Sequence, residues 1–396
     1  MEIERRNKKV RPKMKNYEAQ YRKEINSYLK CGEDNIYFYW KGRVALYALL
    51  KAMGVGPGDE VIVQGYTCVV VANSIIYLGA KPVYVDIDRD TYNMNIEQMK
   101  EKITDKTKVI ICQNTYGLSS NLEVLEQIAK EKGIYTLEDC THGFGGYYNG
   151  KPNGTSCDAS FFSTQWSKPY TTGIGGFCVV HDEGLREKLG VVNKDLVAPS
   201  WKECLELKLM YFVRTYIIND ITYWPMIRLY RWLSRRNLVV GSSSGEEVEG
   251  TKMPEGFFKK QSSVQFKKGI KSLKKLDDVN RLRKENAKKY TAVLKELGKT
   301  YVSEDLFDNH IFIRYPLLVK DRDGFRELAE KEGIILGEWF ESPIYPAYNS
   351  YDVWSLHTED LPNAMWVCER MVNLETTEKK VEKVLEFLKK HAEYLV

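Results

Sequence analysis

Residues Glu138 to Gly176 read EDCTHGFGGYYNGKPNGTSCDASFFSTQWSKPYTTGIGG, and along them an acid, a histidine, a serine and a lysine follow in an order that suits one cofactor. The apolar run Ile134–Leu137 predicts a buried strand with Asp139 at its carboxyl end, where open α/β sheets gather ligand-binding groups. Ala159–Phe162 predicts a second short strand that ends in Ser163. The loop beyond carries Lys168 ahead of the glycine-rich Thr172–Gly176. Glycines there let the backbone approach closely and adopt dihedrals barred to other residues.

A lysine in that setting can form a Schiff base with an aldehyde, and a strand-end carboxylate can keep a pyridine nitrogen protonated. Together they suit pyridoxal 5'-phosphate (PLP). Lys168 alone would read as one more solvated charge, as most lysines are; the constellation changes that reading. The order Asp139, His142, Ser163, Lys168 resembles the DegT/DnrJ/StrS family of sugar aminotransferases, which are fold-type-I PLP enzymes. The resemblance continues upstream through Gly54–Val63 (GVGPGDEVIV) and Leu78–Asp88 (LGAKPVYVDID). It is close from about residue 40 to 182 and looser from about 256 to the end.

The resemblance implies an α/β fold of the fold-type-I PLP transferases: a large domain with a mainly parallel, seven-stranded sheet flanked by helices, and a small α+β carboxyl-terminal domain. The alternation of β-branched runs with amphipathic segments from Glu60 to Asp139 predicts the same parallel sheet with right-handed crossovers. The expected divisions are an arm and helix (1–30), the PLP-binding domain (31–190), a helical insertion and loop (191–255), and a linking helix with the small domain (256–396). The lysine-rich stretch from Gln261 to Leu297 is expected to form that helix, with strands over Ile311–Leu317 and Ile334–Leu336 beyond it.

Carried over residue by residue, the resemblance gives Asp139 to the pyridine nitrogen, His142 to the ring or its phenolic oxygen, Ser163 to the phosphate and Lys168 to the aldehyde. Sugar dehydratases of the family have histidine in place of that lysine, so Lys168 favours transamination. The implied reaction passes an amino group from an amino acid, usually glutamate, to a keto-sugar. Lys168 moves a proton in each half, and burial beside a cationic ring should lower its pKa to suit that work.

Three positions depart from the pattern. Lys41-Gly42-Arg43 stands where relatives carry Ser-Gly-Thr at the start of a helix; the backbone amides near Gly42, Arg43 and Val44 would still suit a phosphate, with the Arg43 side chain adding charge. Cys68 stands where relatives place an aromatic residue against the ring. Tyr66 either takes that role or simply packs. Phe258-Lys259-Lys260 stands where relatives present Asn-x-Arg to the neighbouring subunit's cofactor phosphate, so Lys260 would act as a point charge in a homodimer with shared active sites. Glu338–Pro343 (EWFESP) replaces a histidine-containing segment of many relatives, where acceptor recognition should differ.

The chain has 396 residues, 43% of them hydrophobic, enough for a large core. A net charge of +5 suits a phosphorylated substrate and is too modest to argue for nucleic acid. The eight cysteines form no CxxC pair and read as reduced core residues; no metal site is expected. The amino-terminal MEIERRNKKVRPKMK has no apolar run behind its charges and reads as a mobile arm, not a signal peptide or membrane span. Gly241–Glu247 reads as a polar loop. These features place the protein in the cytoplasm. The aromatic-rich stretch 201–236, split by Pro225, carries too many charges to span a bilayer. Two readings stand: an interfacial hairpin at the inner face of the membrane, with a lipid-linked acceptor, or an insertion packed on the main domain or a partner.

The leading expectation is therefore a PLP-dependent sugar aminotransferase. The altered Lys41–Arg43, Cys68 and Phe258 positions keep open a PLP-binding regulatory or assembly protein of the same fold, and a PLP lyase or amino-acid aminotransferase is a third class.

Overall fold

The computed structural model describes residues 16–218, 222, 225, 226, 229, 232, 245–348 and 350–396. The expected amino-terminal arm, residues 241–244 of the expected polar loop and most of the stretch 219–236 lie outside the described residues; the rest of that expected loop, 245–247, is not a loop but part of a short helix, Gly245–Glu249.

Seven strands form one sheet: β1 (Ile36–Tyr39), β2 (Glu60–Gln64), β3 (Lys81–Val85), β4 (Thr107–Gln113), β5 (Tyr135–Asp139), β6 (Ala159–Ser163) and β7 (Gly176–Val180), in the order β1-β7-β6-β5-β4-β2-β3. The β2–β3, β2–β4, β4–β5 and β5–β6 pairs are parallel, whereas β7 runs antiparallel to both β6 and β1. The expected mainly parallel, seven-stranded sheet is thus present. Its strands are apolar on both faces because helices cover both. Along β4, Val109 and Ile111 join one core with α2 (Gly42–Ala52), α3 (Val69–Ile76) and Leu185 and Leu189 further on. Ile110 and Cys112 join the opposite core with Met99 of α4 (Ile96–Glu101) and with α5 (Leu122–Lys132).

This order sets β5 beside β6, with Asp139 opposite Phe161, so the carboxyl ends of the two strands open at the same edge of the sheet. The start of α2 is pressed onto that edge. A Cβ at Gly42 would lie 3.0 Å from Ser163 Cβ, and one at Gly176 would lie 2.4 Å from the Gly42 backbone. Only two glycines let the helix begin there.

The carboxyl-terminal part has its own core. The antiparallel pair β8 (Tyr315–Leu318) and β9 (Met371–Leu374) packs with α10 (Leu276–Glu296), α11 (Arg322–Lys331) and α13 (Val381–Lys390) around Tyr290, Leu294, Phe325 and Phe387. Three expectations are corrected. The stretch 261–297 is two helices: α9 (Ser263–Leu273) starts in a Ser262–Gln265 capping box and seats Gly269 on Tyr21 of α1 (Tyr17–Leu29), and α10 continues after a break at Lys274–Lys275. Strand structure over 311–317 begins only at Tyr315. Upstream, Phe312 has φ +51°, and the Ile311 and Ile313 amides bond to the carbonyls of Gly117 and Tyr116, which draws that stretch onto the large sheet's loops. At 334–336 there is no strand; only Gly337 makes an isolated bridge, to Asn373.

All eight cysteines are free thiols. Among the described residues no helix is long and apolar enough to cross a membrane, and no group of three or more His, Cys, Asp or Glu side chains is placed to hold a metal ion.

Asp86, buried just past β3, joins the two parts: its carboxylate accepts from the amides of Asn363 and Ala364, both at 2.8 Å, at the start of α12 (Pro362–Arg370). Asp86→Ala would leave both donors without an acceptor. It should lower stability by about 1–3 kcal/mol, read from the urea unfolding midpoint, with a smaller loss for Asp86→Asn.

Candidate functional site

The loop from Thr164 to Gly175 is closed at its base and carries Lys168 at its far end. The Thr164 amide bonds to the Gly175 carbonyl at 2.9 Å, the Thr172 amide to the Thr164 carbonyl at 2.8 Å, and the two threonine hydroxyls to each other at 2.6 Å. A turn then brings the Lys168 amide to the Gln165 carbonyl at 3.1 Å. The part-buried lysine side chain reaches over the Trp339 indole, with Nζ 4.8 Å from the ring centroid. Removal from water lowers the Lys168 pKa from 10.5 to about 8. Cys68 and Asp139 pull it back up, and the cations Arg43 and Arg314 lower it further.

Asp139 ends β5 with its side chain buried, and one carboxylate oxygen accepts the Thr141 amide at 2.9 Å. Burial raises its pKa, while the Thr141 bonds and the Lys168 charge oppose the rise. Each of the two groups thus lies within the field of the other.

His142 lies one turn past Asp139, buried against three nearly parallel rings: Trp339 at 4.7 Å, Phe340 at 5.9 Å and Tyr116 at 6.5 Å. Burial drives its pKa well below 6.5, helped by Lys168 and Arg314, so the ring is neutral at ordinary pH. Its Nδ1 is buried and has no hydrogen-bond partner among the described residues.

Ser163 and Gly42 meet at the sheet edge, as described above, and Arg43 and Val44 follow in the first turn of α2. The Val44 amide already donates to the Lys41 carbonyl at 3.1 Å. The Arg43 guanidinium, buried, forms an ion pair with buried Glu247 at 2.5 Å. Lys41 beside them is brought down to about 8, by burial first and by Arg43 next. Cys68 sits in a two-residue strand paired in parallel with Ile344–Tyr345, close enough to act on Lys168. Tyr66 is wholly buried in the core, its hydroxyl 2.7 Å from that of Tyr116 and its ring edge-on to Phe340 at 5.2 Å.

Lys168, Asp139, His142 and Cys68 are therefore brought together, with the start of α2 and Ser163 along one margin. Lys260 is not brought to them within one chain. It is exposed, its backbone is bridged to Tyr39 and Val197, and its side chain lines a surface groove with Glu18 and Arg22.

Two residues that sequence reasoning missed also face the site. Trp339 touches both Lys168 and His142, and the Arg314 guanidinium stands 5.6 Å from the same indole while paired with Glu375. The signals were present: EWFESP departs from the related pattern, and Arg314 is the one charge in the apolar run Ile311–Leu317.

Among solved structures, a DegT DnrJ EryC1 StrS aminotransferase from Brucella abortus superimposes with a TM-score of 0.72 at 21% identity, covering 95% of this chain and 90% of that one, and so shares the fold. GDP-perosamine synthase of Escherichia coli O157:H7 is 42% identical over 147 residues, which are 37% of this chain and 40% of that protein. The match therefore spans about two fifths of that relative. The spore coat polysaccharide biosynthesis protein SpsC of Bacillus subtilis is 27% identical over 342 residues, covering 83% of this chain and 77% of that one. The sequence profile of the DegT/DnrJ/EryC1/StrS aminotransferase family matches residues 12–206 and 234–389, and with most of its length so matched the chain belongs to that family.

Proposed function

We propose that the protein is a PLP-dependent aminotransferase that transfers an amino group from an amino acid, glutamate in the first instance, to a keto-sugar carried on a nucleotide or a lipid. The product would be an amino sugar for surface polysaccharide. The reading includes a homodimer with shared active sites, and work in the cytoplasm or peripherally at the inner face of a membrane. The observation that carries it is the convergence of three side chains: Lys168 Nζ stands 4.8 Å from the centroid of Trp339, the same indole stacks on His142 at 4.7 Å, and His142 lies three residues past buried Asp139.

The residues suit the cofactor on three counts. The unpartnered Nδ1 of His142 is a buried polar atom in want of a ligand, since leaving it unbonded costs free energy. The close seat of Gly42 on Ser163 forms a cradle at a helix amino terminus that any side chain would fill. A carboxylate and an amine of lowered pKa are the donor set that a pyridine ring with an aldehyde calls for. When bound, PLP supplies the aldehyde carbon that takes up the amino group and a ring that accepts the electrons released by proton loss.

Lys168 would hold the aldehyde and then, as a free amine near neutrality, move a proton between the two carbons flanking the transferred nitrogen. Asp139 would keep the ring nitrogen protonated; a cation there offsets the desolvation that raises its own pKa. Neutral His142 offers one ring nitrogen at the cofactor's edge without adding charge. Ser163 and the Gly42 and Arg43 amides would bind the phosphate. The Val44 amide is engaged elsewhere, and Arg43 would share its charge between Glu247 and the phosphate. Trp339 offers the broad apolar face that Cys68 and core-bound Tyr66 do not, and would shut water from the lysine. Lys260 would act only across a subunit boundary.

A second reading, PLP binding with catalysis lost, is favoured by one feature: Glu247 already neutralises Arg43 at the phosphate end. The spectrum of the purified protein separates the two. Added PLP should give a visible absorption band that glutamate shifts, and Lys168→Ala should abolish both band and shift. A band that glutamate leaves unmoved, with no turnover on a panel of keto-sugars, would favour the regulatory reading. Amino transfer to keto-acids alone would favour an amino-acid aminotransferase.

Because the Lys168 amine loses its proton at about pH 8, the rate at which the cofactor-free protein couples to an aldehyde should rise through pH 8 and level off above it. Asp139→Asn should move that midpoint down and Arg314→Gln should move it up. The unfolded chain keeps this proton to about pH 10.5, so the native state binds fewer protons between pH 8 and 10.5 and gains stability as pH rises across that window. Lys168→Met should remove the gain. Trp339→Leu should weaken PLP binding by about tenfold, the worth of an aromatic stack of about 1–1.5 kcal/mol, measured by titrating the visible band.

A further inference from the structure

Arg283, Asn286 and Tyr290 share one face of α10, at a spacing of three and four. The last two grip the chain just past β9: the Asn286 amide donates to the Thr376 carbonyl at 3.0 Å, and the Tyr290 hydroxyl to the Glu375 carbonyl at 2.9 Å. Arg283 is set one turn further along the same seam. It is 5% exposed, its Nη1 donates to Asn280 Oδ1 at 2.7 Å, and its buried Nε has no hydrogen-bond partner. Among the described residues no carboxylate pairs with it. Burial lowers its pKa from 12.5 to about 9, and the other charge that acts on it, Arg314, pushes the same way. A guanidinium held out of water with one amide oxygen for a partner is costly unless an anion meets it.

Arg314 links this seam to the lysine. Glu375 orients its guanidinium through their ion pair and is itself held by the Thr377 hydroxyl at 2.6 Å. Two residues earlier, buried Asn373 fixes Trp339, accepting its amide at 2.8 Å and donating to its carbonyl at 2.6 Å. One strand end therefore places both the cation and the indole beside it. Arg314 Cζ and Lys168 Nζ stand 5.6 and 4.8 Å from the centroid of that indole, which bounds their separation by the sum of the two distances. We propose that Arg283 and Arg314 form a subsite for a carboxylate of the substrate, held beside the Lys168 amine. A guanidinium presents a planar fork that matches the two oxygens of a carboxylate. Glu375 cancels one of the two guanidinium charges, which leaves one positive charge for one carboxylate. The carboxylate would come from the amino donor or from an acidic sugar acceptor. The subsite presupposes the reading above, in which Lys168 is the reactive amine.

Calorimetric titration of the whole protein, with PLP added, against glutarate tests the proposal; glutarate is an unreactive dicarboxylate, and its neutral diamide is the control. Glutarate should bind and the diamide should not. Arg283→Gln and Arg314→Gln should each weaken glutarate by about tenfold or more, and Arg283→Lys by less, because a point charge remains. The visible band then separates the two sources. If Arg283→Gln needs about tenfold more glutamate to shift the band, with the full shift kept at saturation, the subsite serves the donor. If its glutamate response is unchanged and turnover falls only on a keto-sugar bearing a carboxylate, it serves the acceptor. Glutarate binding requires no turnover, so glutarate uptake by a protein whose band glutamate leaves unmoved would keep the subsite and sink the aminotransferase reading alone. A wild type that takes up no glutarate overturns the proposal whatever the variants do, and so does equal glutarate affinity in wild type, Arg283→Gln and Arg314→Gln.

Discussion

A primary amine taken out of water gives up its proton more readily, and the region around Lys168 is built to that constraint. The loop that carries it is closed by the Thr164–Thr172 hydroxyl contact and by backbone bonds at its base, which fix the backbone from which the part-buried side chain extends over Trp339. Two arginines press in the same direction as burial, and one carboxylate, Asp139, opposes them. Taken together these leave an amine that is a base near neutrality while its neighbouring acid stays close enough to matter. His142 responds to the same field and stays neutral, which keeps a third positive charge out of a crowded site.

The sheet explains why these groups meet. Strands β5 and β6 are adjacent and parallel, so residues at their carboxyl ends are neighbours although 24 positions apart in sequence, from Asp139 to Ser163. That much was legible, because runs such as Val109–Cys112 are apolar at every position and only a sheet covered on both faces buries them all. The grouping of Asp139 with Lys168 was an expectation from the family resemblance, since no strand pattern says where the loop after Ser163 places its lysine. Trp339 was not legible: it arrives from a loop some 170 residues downstream, and no local pattern fixes where such a loop docks. Nor could periodicity reveal that Phe312 turns left-handed or that the lysine-rich helix breaks at Lys274–Lys275. Both follow from tertiary demands, the first from bonds to Tyr116 and Gly117, the second from α9 packing on α1 while α10 serves the small core.

The departures at the start of α2 are coupled to each other through charge. Arg43 and Lys41 put two cations into a buried corner where an ordinary helix start would have none, and burial penalises each. Glu247 answers them, held by its carbonyl to the Asn73 side chain at 2.7 Å and by its carboxylate to Arg43. The helix that carries it, α8 (Gly245–Glu249), follows the stretch the family profile leaves unmatched. The extra positive charge and the segment that balances it thus belong to one local solution, which reading Lys41-Gly42-Arg43 by itself could not disclose.

The same stretch is tied to the lysine loop at its other end. A side chain at Gly173 would strike Tyr211 and Leu207, so α7 (Trp201–Phe212) rests directly on the backbone that presents Lys168, with no intervening layer to absorb a displacement. Tyr211 bonds to the Thr172 carbonyl, and the Thr172 hydroxyl closes the loop against Thr164. Two contacts in series thus connect Tyr211 to the base of the loop that carries Lys168. Thr164 and Thr172 are both fully buried, and in a close-packed interior such a series transmits position well.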